Sequence, residues 1–180
     1  MQKIPTMFVR DETRRGHPVT DQVTPGCEWV LAGEGVATAK LDGTNLKVDG
    51  GQLFKRQKPT AREYDTASYV ACVRDDPADR WAYEGFDACA GIEDGIYELI
   101  GPKVQGNPHQ FQGHVLVRVV PPSALVSLAV QPQRTFDGLR AYLGGAADVV
   151  SDFEGVVFHH PDGRLAKIKR RDFGLPWPPS

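Results

Sequence analysis

The sequence predicts an α+β fold in which antiparallel hairpins are separated by two helices, and three patterns predict it. Leu46 and Val48 alternate with Lys47 and Asp49, Gly50-Gly51 forms a two-residue turn, and Gln52-Leu53-Phe54-Lys55-Arg56 returns. That is the signature of a tight β-hairpin. A second hairpin closes the chain, with Phe153 to His160 and Arg164 to Lys169 flanking Pro161-Asp162-Gly163. Between the hairpins, apolar residues recur twice at helical spacing, after Asp76-Pro77 and after Thr135.

Taken in order, residues 1–33 mix charge, Pro and Gly, and are expected to form an arm with short strands. Ala37 to Lys40 reads as a strand ending in a turn of Asp42, Gly43 and Asn45. The stretch from Gln57 to Asp75 has no clear pattern and is expected to be a loop. Asp76 followed by Pro77 predicts a helix start, with Trp81, Ala82, Gly85, Phe86 and Cys89 on its core face and Gly91 at its end. Gly95 to Ile100 and His114 to Val120 are β-like runs, and a further strand is expected to include Leu125 and Val126. Thr135 suits an N-cap for a helix with Phe136, Leu139 and Leu143 on one face, stopped by Gly144-Gly145.

A chain of 180 residues suits one core, so a single domain over residues 1–180 is expected. Hydrophobic residues make up 41% and charged residues 24%, which excludes a disordered chain. The formal charge of −2 gives no chain-wide attraction to nucleic acid, so any such attraction needs a local patch. Arg164, Lys167, Lys169, Arg170 and Arg171 are candidates for one. Cys27, Cys72 and Cys89 form no Cys-x-x-Cys pair, which argues against a disulfide framework or zinc site. No apolar segment has the length of a signal peptide or membrane span, so the expected compartment is the cytoplasm, with no membrane partner.

The chemistry centres on Lys40. A lysine attacks only when uncharged, and nearby cations or burial favour the neutral amine. Ala166-Lys167-Ile168-Lys169 carries two lysines at a spacing of two, which on a strand puts both on one face and Ile168 on the other. Glu154 lies upstream in Phe153-Glu154-Gly155-Val156-Val157-Phe158.

Lys40-Leu41-Asp42-Gly43-Thr44-Asn45, the central Tyr97-Glu98, Glu154-Gly155-Val156-Val157 and Lys167-Ile168-Lys169, in this order, resemble the covalent nucleotidyltransferases. Within that superfamily the first motif is most similar to the ATP-dependent RNA ligases, and the resemblance runs from about Lys40 to Lys169. It implies two antiparallel sheets forming a nucleotide-binding cleft, and a Lys40-AMP intermediate made from ATP. The AMP would pass to an RNA 5'-phosphate, which is then sealed to a 3'-hydroxyl. The short tail beyond Lys169 leaves no room for the OB-fold of DNA ligases and capping enzymes, so no separate C-terminal domain is expected, and a partner protein is a candidate for selecting RNA ends.

In this scheme Lys167 and Lys169 hold the phosphate and complete the catalytic set with Lys40. Glu154 is the first choice for a Mg2+ ligand and Asp42 the second, with Mn2+ as an alternative ion. The resemblance assigns Glu98 to the ribose hydroxyls, Arg56 to a ribose or phosphate oxygen, and Asn45 to solvent or the RNA end. Several aromatic residues, Phe111 and Phe158 among them, are candidates to stack on the adenine. Two rival readings are a catalytically idle module that binds RNA ends or nucleotides, and a capping-type guanylyltransferase. A solvated strand face is the plain alternative for Lys167 and Lys169.

Overall fold

The structure, a computed structural model, describes residues 3–57, 68–145 and 153–178. Their strands form three sheets, and every pairing between strands is antiparallel. The chain divides into two compact units, one built on Leu41–Val126 and the other on Ile4–Lys40 with Ser127–Ser180. The α+β class holds, and the short strands expected in residues 1–33 pair with each other as a third, two-stranded sheet.

The unit built from both chain ends contains β1 (Phe8–Arg10), β2 (Val19–Val23), α1 (Glu28–Leu31) and β3 (Val36–Lys40). β1 and β2 pair as the small sheet. β3 joins the closing hairpin in a sheet whose outermost strand is Leu165–Lys169 and whose centre is Gly155–His159. Ala37, Val156, Phe158, Ala166 and Ile168 enter its core with Met7, Phe8, Leu139 and Leu143. Partners across a ladder share a face, and alternation sends the intervening residues to the other side. One face of this sheet is therefore core, and the other carries the polar residues of the same strands.

The second unit holds the five-stranded sheet. β4 (Thr44–Asp49) and β5 (Gln52–Arg56) form the expected hairpin, and Gly50 and Gly51 both take positive φ, 56° and 74°, as its tight turn requires. β6 (Tyr69–Ala71) follows, within the stretch expected to be a loop; residues 58–67 of that loop lie outside the described residues. Next come α2 (Arg80–Asp87), β7 (Gly95–Ile100) and β8 (Val115–Val120), giving the order β6-β5-β4-β7-β8. Leu46, Val48, Leu53, Tyr97, Leu99 and Leu116 make the core face.

Two element assignments need correction. Asp76 does not cap α2; it closes a turn by accepting from the Ala78 N–H at 2.9 Å, and the helix begins after Asp79. Leu125 and Val126 lie in a short 3-10 helix, Ala124–Val126, rather than a strand. By contrast, α3 (Phe136–Gly144) forms as expected: the Thr135 side chain accepts from the Gly138 N–H at 3.1 Å, and Gly145 ends the helix in the left-handed region. In the first unit, β9 (Gly155–His159) and β10 (Leu165–Lys169) complete the closing hairpin.

Candidate active site

The three-stranded sheet brings Lys40 together with Glu154, which is 114 residues away in sequence, and with Lys167 and Lys169 beyond it. Lys40 pairs with Gly155 and Gly155 with Lys169, while two residues further along Thr38 pairs with Val157 and Val157 with Lys167. All these residues share one face, opposite the core face that holds Ile168. Glu154 sits at the end of β9, where its N–H donates to the Lys40 carbonyl at 2.8 Å and its carbonyl accepts from the Arg170 N–H at 2.9 Å.

Its carboxylate is held between two ammonium groups. Lys40 Nζ is 2.5 Å from Oε2 and Lys169 Nζ is 3.1 Å from Oε1, and the Glu154 side chain is only 6% exposed. Burial alone would raise the pKa of this carboxyl, but the charges and hydrogen bonds of Lys40 and Lys169 outweigh it and leave the value below the usual range. Lys167 responds in the opposite way. Burial first, and then the charges of Lys40 and Lys169, push its pKa down to about 8.

Gly155 is what allows the lysines to stand on either side of it. A Cβ there would lie 2.2 Å from the Ile168 carbonyl oxygen and 2.7 Å from Lys169 Cα, both main-chain atoms. Beyond the lysines, Thr38 Oγ1 lies 3.0 Å from His159 Nε2 and donates to the Val157 carbonyl at 3.3 Å. Burial lowers the His159 pKa below its ordinary 6.5, so this ring is neutral at pH 7 and the charge on the face belongs to the lysines and Glu154.

Within the other unit, a polar row crosses the five-stranded sheet on the side away from its core. Arg56 pairs with Tyr69, and Asn45 pairs with Glu98. Tyr69 Oη donates to Asn45 Oδ1 at 2.6 Å, which links the row from strand to strand. The Tyr69 phenol is raised by burial, with Arg56 lowering it and Glu98 raising it, so all four groups lie within electrostatic reach. The turn after Leu41 is tied to the same sheet. The Gly43 N–H donates to Glu98 Oε1 at 3.1 Å, and the Asp42 N–H donates to His109 Nε2 at 2.9 Å. A Cβ on Gly43 would meet the Leu99 carbonyl oxygen at 2.2 Å and Glu98 Cγ at 2.9 Å, so the glycine of Lys-x-Asp-Gly is sterically required.

The sequence reading did not single out Tyr69, the bond from Asp42 to His109, or the Thr38–His159 pair. Each depends on a cross-strand or loop contact that no local pattern encodes. Two other expectations change. Phe158 is fully buried in the core with Arg134 over its ring, so it cannot stack on a nucleotide base, whereas Phe111 is 40% exposed. The C-terminal cations are not one exposed patch either. Lys167 and Lys169 face the Glu154 cluster, Arg170 is buried, and Arg164 is bound to Asp162 at the hairpin turn.

Comparison with known proteins matches residues 87–180 to the family model described as RNA ligase 1, just over half of the chain. The chain belongs to the RNA ligase 1 family. It is 32% identical to RNA ligase 1 of Danio rerio over 94 residues, 49% of this chain and 27% of that protein. With RNA ligase 1 of Pongo abelii the identity is 31% over 83 residues, 45% of this chain and 25% of that protein. The chain thus aligns with about a quarter of the length of these curated relatives. The family match includes Glu98, Glu154, Lys167 and Lys169 and begins after Lys40, Asp42, Asn45 and Arg56. Among the described residues, no helix is long and apolar enough to cross a membrane.

Proposed function

We propose that this chain is the adenylyl-transfer portion of an ATP-dependent RNA ligase, with Lys40 as the residue that carries AMP. The observation that supports it most is the Lys40–Glu154–Lys169 arrangement, with Lys167 on the same sheet face. In the reaction, the Lys40 amine first gives up its proton and its bond to Glu154. Nζ then attacks the α-phosphorus of ATP, an N–P bond forms, and the P–O bond to pyrophosphate breaks with its electron pair on the leaving oxygen. Lys167 and Lys169 hold the phosphate oxygens where negative charge builds up.

In the second step an oxygen of the RNA 5'-phosphate attacks the same phosphorus. The N–P bond breaks and Lys40 regains a proton. The RNA 3'-hydroxyl then attacks the activated 5'-phosphate, releasing its proton to solvent as the new O–P bond forms, and AMP leaves with the electron pair of the broken P–O bond. Glu98, Arg56 and Asn45 serve the nucleotide and RNA end in this reading, as the resemblance implies.

The donor set suits Mg2+ or Mn2+ held partly by substrate. No cluster of three metal-ligating His, Cys, Asp or Glu side chains occurs among the described residues, which argues against an all-protein cage. Glu154 offers one buried carboxylate whose two oxygens already attract cations, and Mg2+ is commonly held by one or two carboxylates with phosphates and water completing its shell. Asp42 is the second carboxylate in the proposal. Such an ion would neutralise charge on the transferring phosphate. Three unpaired thiols, Cys27, Cys72 and Cys89, suit the reducing cytoplasm.

The test is covalent labelling. With magnesium and ATP labelled at the α-phosphate, the denatured chain should keep its label, and Lys40→Ala should not. Labelling from GTP instead would support the capping reading, and nucleotide binding with no label from either would support an idle module.

A further inference from the structure

The strand carrying Lys167 and Lys169 is held from its outer side by N-terminal residues that the chemistry above does not use. The Met7 N–H donates to the Lys167 carbonyl at 2.8 Å, and the Lys167 N–H donates to the Pro5 carbonyl at 3.0 Å, so residues 5–7 lie along β10. A little further on, Arg10 pairs with Asp172. Asp172 is 1% exposed, and its other oxygen accepts from the Lys169 N–H at 2.8 Å. Arg10 is itself anchored, donating to the His17 carbonyl at 3.2 Å.

Lys169 is the last residue of β10, after which the chain enters a 3-10 helix, Arg170–Phe173. On the β9 side the ladder runs one residue past Lys169, through the Arg170 N–H to the Glu154 carbonyl. On the outer side the Lys169 amide is taken by the Asp172 carboxylate, which is paired with Arg10. Without that partner the buried carboxylate would lose its ion pair, and its hold on the Lys169 amide would weaken.

The geometry points to Arg10 and Asp172 as positioning residues that set Lys169 against Glu154, making the N-terminal arm a working part of the site. This inference rests on the ligase reading for its effect on rate. Its structural half is independent: the Lys169 N–H should owe its order to Asp172 and Arg10.

Both halves are tested on the full chain with Arg10→Met, Arg10→Lys and Asp172→Asn. The measurements are the single-turnover rate of lysyl-AMP formation, the ATP concentration giving half that rate, and hydrogen exchange at the Lys169 amide. A displacement of order 1 Å costs up to about a hundredfold in rate. Arg10→Met should therefore slow labelling by about tenfold or more, well below its melting temperature and at saturating ATP. Arg10→Lys should recover most of the rate. Asp172→Asn keeps an acceptor for the amide but loses the charge, and should fall between. In Arg10→Met the Lys169 amide should exchange faster while those of Val156 and Ile168 stay protected. If Arg10→Met does not fold, the other two variants decide the question by the same readouts.

Folded variants with the wild-type rate and an unchanged Lys169 amide would overturn the inference, as would Arg10→Lys performing no better than Arg10→Met. If the wild type never takes up label yet the amide responds as expected, the ligase reading fails and the positioning link stands.

Discussion

Glu154 and Lys40 are bound to each other twice, by main chain and by side chain. The Glu154 N–H donates to the Lys40 carbonyl at 2.8 Å, and Lys40 Nζ lies 2.5 Å from Glu154 Oε2. The first bond extends the β3–β9 ladder by one residue, and the second uses that fixed spacing to bring a buried carboxylate to the amine. The strand pairing that builds the sheet therefore also aims the proposed nucleophile.

Glu154→Gln should separate the two functions of this carboxylate. The amide keeps the shape but removes the negative charge held between Lys40 and Lys169. Breaking a buried pair typically costs about 3–5 kcal/mol, and the partial exposure of both lysines puts this case at or below the lower end. Denaturant unfolding measures that loss. Lysyl-AMP formation should fall by about a hundredfold or more, the scale set by removing one electrostatic contact from a reacting centre.

Gly155→Ala and Gly43→Ala test the steric side of the two motifs. Each Cβ would come within 2.2 Å of a main-chain carbonyl oxygen, so the backbone must shift. Overpacking of this kind costs about 1–3 kcal/mol. Gly155→Ala should also push Lys169 away from Glu154 and depress labelling beyond what the lost stability explains. Melting curves and labelling rates on the same samples check both.

Much of this was legible in the sequence because period-two alternation and turn chemistry are local. Gly50-Gly51 and Pro161-Asp162-Gly163 mark their hairpins, and the Lys-x-Lys spacing by itself fixes which way Ile168 points. The register of β3 against β9 was not legible, and it is this register that sets Lys40 opposite Gly155. Phe158 illustrates the limit: as one residue in an apolar run it could face either way, and only the pairing with Ala37 and Ala166 sends it into the core. Asp76 failed as a helix cap because its side chain closes its own turn first, a local competition that an Asp-Pro pair does not reveal.

Tyr69→Phe should affect sealing more than activation. Its hydroxyl donates to Asn45 Oδ1 at 2.6 Å and holds the amide in one orientation. Losing one such bond is worth about 1 kcal/mol, roughly fivefold in a rate that depends on it. With Asn45 serving the RNA end, joining of pre-adenylylated RNA should slow by about that factor while lysyl-AMP formation stays within about twofold. Separate assays of the two steps give the answer, and equal slowing of both would assign Asn45 to the nucleotide instead.

Lys167 makes the pH dependence specific. Its pKa is about 8 in the folded protein, below the ordinary lysine value of 10.5. Below pH 8 the amine is charged in both folded and unfolded chains, and the penalty for burying that charge among other ammonium groups is fully present. Between the two values the unfolded chain binds more protons, so stability rises with pH, and above 10.5 the penalty is gone. Wild type should therefore gain stability relative to Lys167→Met as pH increases from about 8 toward 10.5, in paired unfolding titrations. Labelling should move the other way. The charge proposed to hold the phosphate disappears as pH passes about 8, so the rate should bend downward there. Lys167→Arg keeps its charge throughout this range and should carry the plateau to higher pH, even where its bulk lowers the maximum.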